Sequence, residues 1–328
     1  MKAMLKIEDI NAVNLEISSR CAARCPFCSR GQKVREYGNH DITLADFKCL
    51  PQTFIAQLNR FSFSGNFGDL CTNPEFVDIV AYINTINPDV IMDGETNGSL
   101  QEDEWWRQLG SVFHRGSLIF ALDGLEDTHH LHRRGTRFDQ VIRHLQAFVS
   151  GGGSAYWKFI VFDHNEHQIA AAESLARDLG CSGFFVVSSR EYTSQLRKPR
   201  TLEVALKRDI YHAHLELLSG DERHAICKPF NDGSIYIAAD GTVHPCCFAH
   251  CMYITEHNRA FDYIIPLIEK YRLQINFKTL PIKEIIEGLY FSAVEHQSPG
   301  NAYCQLKCNR YRKAVRDKLT LYEKRWSI

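Results

Sequence analysis

Between residue 13 and about residue 190, short apolar runs alternate with longer amphipathic stretches. The short runs predict strands at Val13–Ile17, Arg60–Ser64, Val90–Met92, Leu118–Leu122, Trp157–Phe162 and Phe184–Val187. The stretches between them predict helices over Leu44–Leu58, broken or kinked at Pro51, and over Glu75–Ile86, Glu102–Phe113, Phe138–Val149 and Gln168–Leu179. In the last, Ile169, Ala172, Leu175, Ala176 and Leu179 recur at the spacing of one helical face. Asp41 or Thr43, Asn73 before Pro74, and Asn165 suit helix starts, and Gly180 suits a helix end. Strand–helix repeats at intervals of roughly 25–30 residues are the pattern of parallel βαβ units. Continuously apolar strands such as F-I-V-F and F-F-V-V fit a sheet covered on both faces. Six such units predict an α/β fold built as an open partial (β/α)6 barrel, with its active site at the C-terminal ends of the strands.

The notable polar residues fall at those ends. Strand one is followed by C-A-A-R-C-P-F-C, carrying Cys21, Cys25 and Cys28, and strand two by S-G-N-F-G-D, Ser64 to Asp69. Strand three ends in Glu95 to Gly98, strand four in Asp123-Gly124, strand five in D-H-N-E from Asp163, and strand six in Ser188 to Arg190. Each alone is also what a βα turn wants. Their convergence on a cysteine triplet marks a site. An iron–sulfur cubane takes four thiolates, so a loop offering three leaves one iron open. An open position is what separates a catalytic metal centre from a sealed one.

Composition narrows the class. At 328 residues the chain has room for one large α/β domain and a smaller one. Apolar residues at 45% and charged residues at 23% are ordinary globular values, and a net charge of −1 gives no overall attraction to nucleic acid or anionic membrane. The start, M-K-A-M-L-K-I-E-D, lacks an apolar signal region, and no stretch approaches a membrane span, so a cytoplasmic protein is expected. Twelve cysteines in a reducing compartment point to metal ligands rather than disulfides. Cys49, Cys71 and Cys181 stand apart from the rest and suit small buried hydrophobes.

The C-x3-C-x2-C run, with Phe27 just before its last cysteine, resembles the signature of the radical S-adenosylmethionine (SAM) enzymes. The resemblance implies that Cys21, Cys25 and Cys28 hold a [4Fe–4S] cluster whose open iron binds the methionine amino and carboxylate groups of SAM. It further implies that the reduced cluster cleaves SAM to a 5′-deoxyadenosyl radical. Gly65, Asn66, Gly68 and Asp69 look like a variant of the family's Gly-Gly-Glu motif, which holds the methionine amino group. The variant has two residues inserted between the glycines and Asp in place of Glu. Thr96-Asn97-Gly98 resembles the usual third-strand ending, and Asp123, Asn165 and Ser188 stand where the family often places ribose or carboxylate contacts. Phe27 joins them on the cofactor side. Asp123, Glu95, His164, Arg190 and Tyr192 are candidates for handling a substrate proton or anion, and Arg190 also suits a carboxylate.

Six more cysteines lie between 227 and 308. Cys227 is followed by thirteen residues, Gly241, four residues and Cys246; then come Cys247, Cys251, and Cys304-x3-Cys308. The segment S-I-Y-I-A-A-D-G-T-V reads as a β-hairpin turning at Asp240-Gly241. C-x13-G-x4-C resembles the opening of the SPASM and Twitch auxiliary-cluster domains of radical SAM enzymes, and six cysteines fit the one-cluster Twitch form. The expected ligands of an auxiliary [4Fe–4S] cluster are Cys227, Cys246, Cys304 and Cys308, with Cys247 or Cys251 as alternates. A structural zinc site with four cysteines is the competing reading.

These readings divide the chain into a barrel over 1–200, a helical connector over 201–226, a small α+β Twitch-like domain over 227–310 and a basic C-terminal helix over 311–328. Residues 307–325 carry eight basic and two acidic side chains, a solvated face by default and a nucleic-acid contact otherwise. His129-His130-x-His132 has the look of a metal patch, though the stretch E-D-T-H-H-L-H-R-R-G resembles a non-metal loop common in the family. Arg133, Arg134 and Arg137 read as solvated loop arginines, with an anion-binding role as the alternative.

The expected function is a radical SAM oxidation or rearrangement, oxidoreductase or isomerase, of a small-molecule or nucleotide-linked substrate. The auxiliary cluster would relay electrons, and a flavodoxin or ferredoxin type donor would supply them. The triplet begins at residue 21, which leaves no room ahead of it for a peptide-binding domain and favours the small molecule. A partner-presented ribosomal peptide, an amino-acid-decorated nucleobase, and a non-catalytic iron–sulfur or zinc scaffold are the alternatives.

Overall fold

The computed structural model describes residues 5–32, 35–204, 227–255, 263–299, 301, 304–305, 308 and 320–326. Its strands are β1 (Ala12–Leu15), β2 (Arg60–Phe63), β3 (Ile91–Thr96), β4 (Gly116–Ala121), β5 (Ala155–Val161), β6 (Gly183–Ser188), β7 (Ser234–Ile237), β8 (Val243–His244) and β9 (Thr320–Arg325). They follow the sheet order β8-β7-β1-β2-β3-β4-β5-β6-β9. The six strands expected from the apolar runs are therefore neighbours in chain order, as a partial (β/α)6 barrel requires. Contacts divide the chain into two units, one of Met1–Cys21, Ser29–Met92 and Leu218–Arg310, the other of Ala22–Cys28, Asp93–Leu217 and Tyr311–Ile328.

In the first unit β1 pairs in parallel with β2 on one side and with β7 on the other, Val13 standing opposite both Phe61 and Ile235. β7 and β8 form the expected hairpin. At its turn Asp240 Oδ1 accepts from Thr242 N (3.0 Å), and Gly241 takes a φ of 93°, open to glycine at little cost. Pro51 does break the first helix: Leu44–Phe47 ends before it and Gln52–Gln57 begins after it. Thr43 caps the first piece reciprocally with Asp46. The helix Phe76–Ile86 buries Phe76, Ile79, Val80 and Ile83, and Phe76 packs edge-on against Phe63 of β2 at 4.9 Å.

In the second unit β4, β5 and β6 pair in parallel around buried Trp157, Phe159 and Phe184. Helix Ile169–Asp178 ends at Gly180, whose φ of 77° is the expected left-handed cap. The basic C-terminal helix is corrected over its last part. Thr320–Arg325 is strand β9, antiparallel to β6, because T-L-Y-E-K-R suits a pleated edge and β6 offers unpaired backbone groups. Residues 205–226 of the connector and 309–319 of the basic run lie outside the described residues. Among the described residues no helix is long and apolar enough to cross a membrane.

Candidate metal centre and cofactor site

In the second unit, Cys25-Pro26-Phe27-Cys28 closes a tight turn, Cys28 N donating to Cys25 O (3.4 Å) and Pro26 O (2.8 Å). Proline at the second position and a positive φ at the third, 52° at Phe27, are the marks of a type II turn. Phenylalanine there bears a backbone strain of about 1 kcal/mol, so the site holds Phe27 in a conformation glycine would adopt freely. The turn brings Cys25 and Cys28 onto one short loop, both half-buried.

Asp123, after β4, is fully buried. Its Oδ2 accepts from Arg133 Nε (2.5 Å) and His132 Nδ1 (2.7 Å), and its Oδ1 accepts from Ile160 N (2.7 Å). Burial alone would raise this carboxyl, but Arg133 and His132 outweigh burial and hold it well below the usual carboxylate range. Asp123 is thus a fixed anion committed to protein donors. Arg133 also reaches Cys25, Nη1 lying 3.8 Å from Sγ. The arginine expected to be solvated is buried, whereas Arg134 and Arg137 are exposed. The three histidines of the apparent metal patch do not converge: His132 holds Asp123, His129 Nε2 holds Thr136 Oγ1 (2.8 Å), and His130 is exposed.

Asn165 spends its side chain closing the β5 turn, accepting from Phe162 N (2.7 Å) and donating to Asp123 O (3.2 Å) and Ile160 O (3.1 Å). Thr96 Oγ1 and Asn97 Oδ1 accept from Gly98 N and Ser99 N, both at 3.0 Å, shaping the turn after β3. Glu95 is ion-paired with Lys158. His164 stacks on Phe162 at 5.3 Å, and burial lowers its basicity. Tyr192 accepts from Ser189 N (3.1 Å) and packs edge-on against the same ring. Arg190 is exposed. Four buried polar atoms after four successive strands have no hydrogen-bond partner among the described residues: Ser99 Oγ, Arg133 Nη2, His164 Nε2 and Ser188 Oγ. Buried groups of this kind call for a partner such as a ligand or water, and their mix of donors and acceptors fits a polar cofactor with a carboxylate and hydroxyls.

In the first unit, the chain leaving β1 is pinned on both sides of Cys21. Arg20 pairs with Asp41 and donates to Thr72 O (2.7 Å), while Arg30 Nη1 donates to Ser19 O (2.6 Å) and Phe67 O (3.2 Å). The loop Gly65–Asp69 is organised by a residue that the apolar pattern concealed. Glu16, 1% exposed, accepts at Oε1 from Phe67 N (2.6 Å) and Gly68 N (3.2 Å) and at Oε2 from Tyr37 OH (3.1 Å). Burial pushes the Glu16 carboxyl up, and the bonds from Phe67, Tyr236, Tyr37 and Gly68 offset this only in part. Gly68 must be glycine, since a Cβ there would lie 1.7 Å from Ser18 O. Asn66 donates to Tyr236 OH (3.2 Å) and Cys247 O (2.8 Å), and Asp69 Oδ1 accepts from Cys71 N (3.1 Å), capping the turn Leu70–Thr72. The available sequence signal for Glu16 was a carboxylate inside an apolar strand, which has to find partners.

The same unit gathers the later cysteines. Cys227 lies in the electrostatic field of Cys308 and Cys304, and Cys246 in that of Cys227, Cys308 and Cys247. Residues 304, 305 and 308 are helical. Burial raises the Cys227 and Cys246 thiols well above the usual range and pushes Cys304 up to about 12. Tyr263 OH lies 3.3 Å from Cys304 Sγ. Cys251 packs against the buried cluster of Tyr37, Phe67 and Ile254. Among the described residues no three His, Cys, Asp or Glu side chains have the spacing of ligands to a single metal ion. Of the lone cysteines, Cys71 and Cys181 are buried as expected and Cys49 is exposed.

No protein-family model and no curated protein matches the sequence. Solved structures do. Streptococcus suis SuiB bound to precursor peptide SuiA aligns over 95% of this chain and 74% of its own, with TM-score 0.59 and 13% identity. SuiB bound to S-adenosylmethionine aligns over 72% of this chain and only 60% of its own, with TM-score 0.51 and 15% identity. Histidine-tagged anSMEcpe with bound AdoMet aligns over 94% of this chain and 92% of its own, with TM-score 0.54 and 14% identity. The mostly parallel sheet is thus a fold that this chain shares with SuiB and anSMEcpe.

Proposed function

We propose that this protein is a radical SAM enzyme. Cys21, Cys25 and Cys28 hold a [4Fe–4S] cluster with one open iron, and Cys227, Cys246, Cys304 and Cys308 hold a second, closed cluster that relays an electron. The observation that carries the reading is the C-x3-C-x2-C loop directly after β1 in a fold shared with SAM-bound proteins. With SAM bound, the reduced open-site cluster would supply the radical chemistry needed to activate a substrate C–H bond.

The chain's own residues bind and orient. Glu16 fixes the backbone of Phe67 and Gly68, which keeps the Gly65–Asp69 loop in the shape suited to the methionine amino group. Asp123, Arg133, Asn165 and the turn at Thr96-Asn97 rigidify the strand ends, leaving Ser188 Oγ and His164 Nε2 as groups with bonding capacity to spare. Asp123 therefore acts as an anchor, and His164 is the better placed of the proposed substrate-facing groups.

The first substrate reading is a small-molecule or nucleotide-linked group, oxidised or rearranged through a carbon radical. A peptide is the second, favoured by the peptides bound in SuiB with SuiA and in anSMEcpe with Cp18Cys. Electrons come from a flavodoxin or ferredoxin type donor in either case.

Anaerobically reconstituted protein given SAM and dithionite should release 5′-deoxyadenosine, and Cys28→Ala should abolish the release. No release from protein carrying full iron would sink the reading. Iron should be about eight per chain, falling to about four in Cys227→Ala/Cys246→Ala. Four irons plus one zinc in the parent would replace the second cluster with a structural site.

A further inference from the structure

In the second unit the buried guanidinium of Arg133 is held at one end and aimed at a motif sulfur at the other. Nε donates to Asp123 Oδ2 at 2.5 Å, and Nη1 points to Cys25 Sγ at 3.8 Å. Asp123 cannot swing away, because His132 Nδ1 and Ile160 N also bind it, each at 2.7 Å. The loop itself is tied to the cysteine turn: Arg24 N donates to Arg134 O (2.7 Å), and a Cβ on Gly135, whose φ is 84°, would stand 2.9 Å from Ala22 O. A permanent positive charge is therefore fixed against one of the three motif thiols. Its neighbours Arg134 and Arg137 are exposed and lack this geometry.

We infer that Arg133, positioned by Asp123, sets the reduction potential of the cluster held by Cys21, Cys25 and Cys28. This rests on the cluster assignment above. Reduction adds one electron, supplied by the external donor, to a cluster that already carries thiolate charge. A guanidinium donating to the Cys25 sulfur stabilises the added negative charge and raises the potential, as hydrogen bonds to cluster sulfurs do generally. Arg133 touches a cluster ligand rather than the reacting atoms, so its role is tuning and positioning. Asp123 supplies the rigidity that keeps the donor at sulfur distance when the cluster changes charge.

The test is an anaerobic potentiometric titration followed by electron paramagnetic resonance, reading the cluster whose signal changes on adding SAM. Arg133→Gln should keep the wild-type iron content, yet at a fixed potential its ratio of reduced to oxidised cluster should fall about tenfold, the scale of one charged hydrogen bond. Arg133→Lys, which keeps the charge but loses the fork, should recover part of the loss. An unmoved midpoint in iron-replete Arg133→Gln overturns the proposal while leaving the enzyme reading intact. A wild type that takes up no iron at the triplet overturns both. If the substituted proteins do not fold, the reduced wild type labelled with 15N-arginine decides: a 15N coupling to the cluster is expected, and its absence overturns the assignment.

Discussion

Glu16 is an ionisable side chain immediately after β1, whose own residues are apolar or neutral, and its surroundings show why it persists. Two backbone amides, Tyr37 and Tyr236 all bond to its carboxyl, and His250 Nδ1 lies 4.0 Å from Oε2. Truncation by Glu16→Ala would strand these buried donors, and urea denaturation of the metal-free protein should show a loss of about 3–4 kcal/mol. The isosteric Glu16→Gln should cost far less and should change the pH dependence. Burial raises the folded-state pKa of Glu16 above its ordinary value of 4.5. Between 4.5 and that raised value the folded protein holds a proton that the unfolded chain has lost, so wild-type stability falls as pH rises, at up to ~1.4 kcal/mol per pH unit. Glu16→Gln lacks this fall and should gain on the wild type as pH rises above about 5. A constant difference between the two proteins across that range would show that Glu16 is charged in the fold.

At the scale of elements, helix Phe138–Ser150 is locked to the turn after β3 through His144. Its Nδ1 donates to Gly98 O (2.6 Å), and its ring stacks on Trp106 at 5.5 Å. Burial lowers its pKa below 6.5, and the Gly98 carbonyl and Asp103 do not fully offset it. Below about pH 6.5 the unfolded chain takes up a proton that the fold refuses, so stability falls as pH falls through that window. His144→Gln should flatten this acid limb in urea melts at pH 5 and pH 7; an unchanged slope would exclude His144 as its source. A second element-scale prediction concerns β9. Removing residues 320–328 would bare the β6 edge, whose Phe184 and Val186 lie in the core, and the truncated protein should self-associate in sedimentation runs where the parent stays monodisperse. Both elements also mark how far the sequence could be read. Strands β4 and β6 were legible because their apolar residues run together, and β1, β2 and β5 because apolar residues recur at every second position. β3 is longer than its run, since Asp93 bonds Ser117 and Glu95 pairs with Lys158, partners no local pattern announces. β9 was hidden among basic residues because what makes it a strand is the neighbouring edge. The cysteines were legible through spacing along the chain, whereas Glu16 and Arg133 depend on partners 51 and 108 residues distant.

At the scale of the whole molecule, the divisions of sequence and of contacts differ. Composition and cysteine spacing suggest a barrel that ends near residue 200 and a separate small domain after 227. Contacts instead join Leu218–Arg310 to Met1–Cys21 and Ser29–Met92 in one unit. The reason lies in β7, which extends the sheet from the β1 edge, Glu16 N donating to Ile237 O at 2.9 Å and Asn11 N to Gly233 O at 2.9 Å. Tyr236, fully buried on β7, also binds the Glu16 carboxyl and Asn66. The Gly65–Asp69 loop therefore draws its shape from chain at both ends of the sequence. A fragment ending at residue 204 would lack β7, open the β1 edge and leave Glu16 without Tyr236. Such a fragment should keep much of its far-ultraviolet circular dichroism, lose near-ultraviolet structure and bind ANS, as a chain with secondary structure but unfixed packing does. If it instead shows native near-ultraviolet bands and a cooperative urea transition, the barrel is an independent domain and the loop does not need the C-terminal region to hold its form.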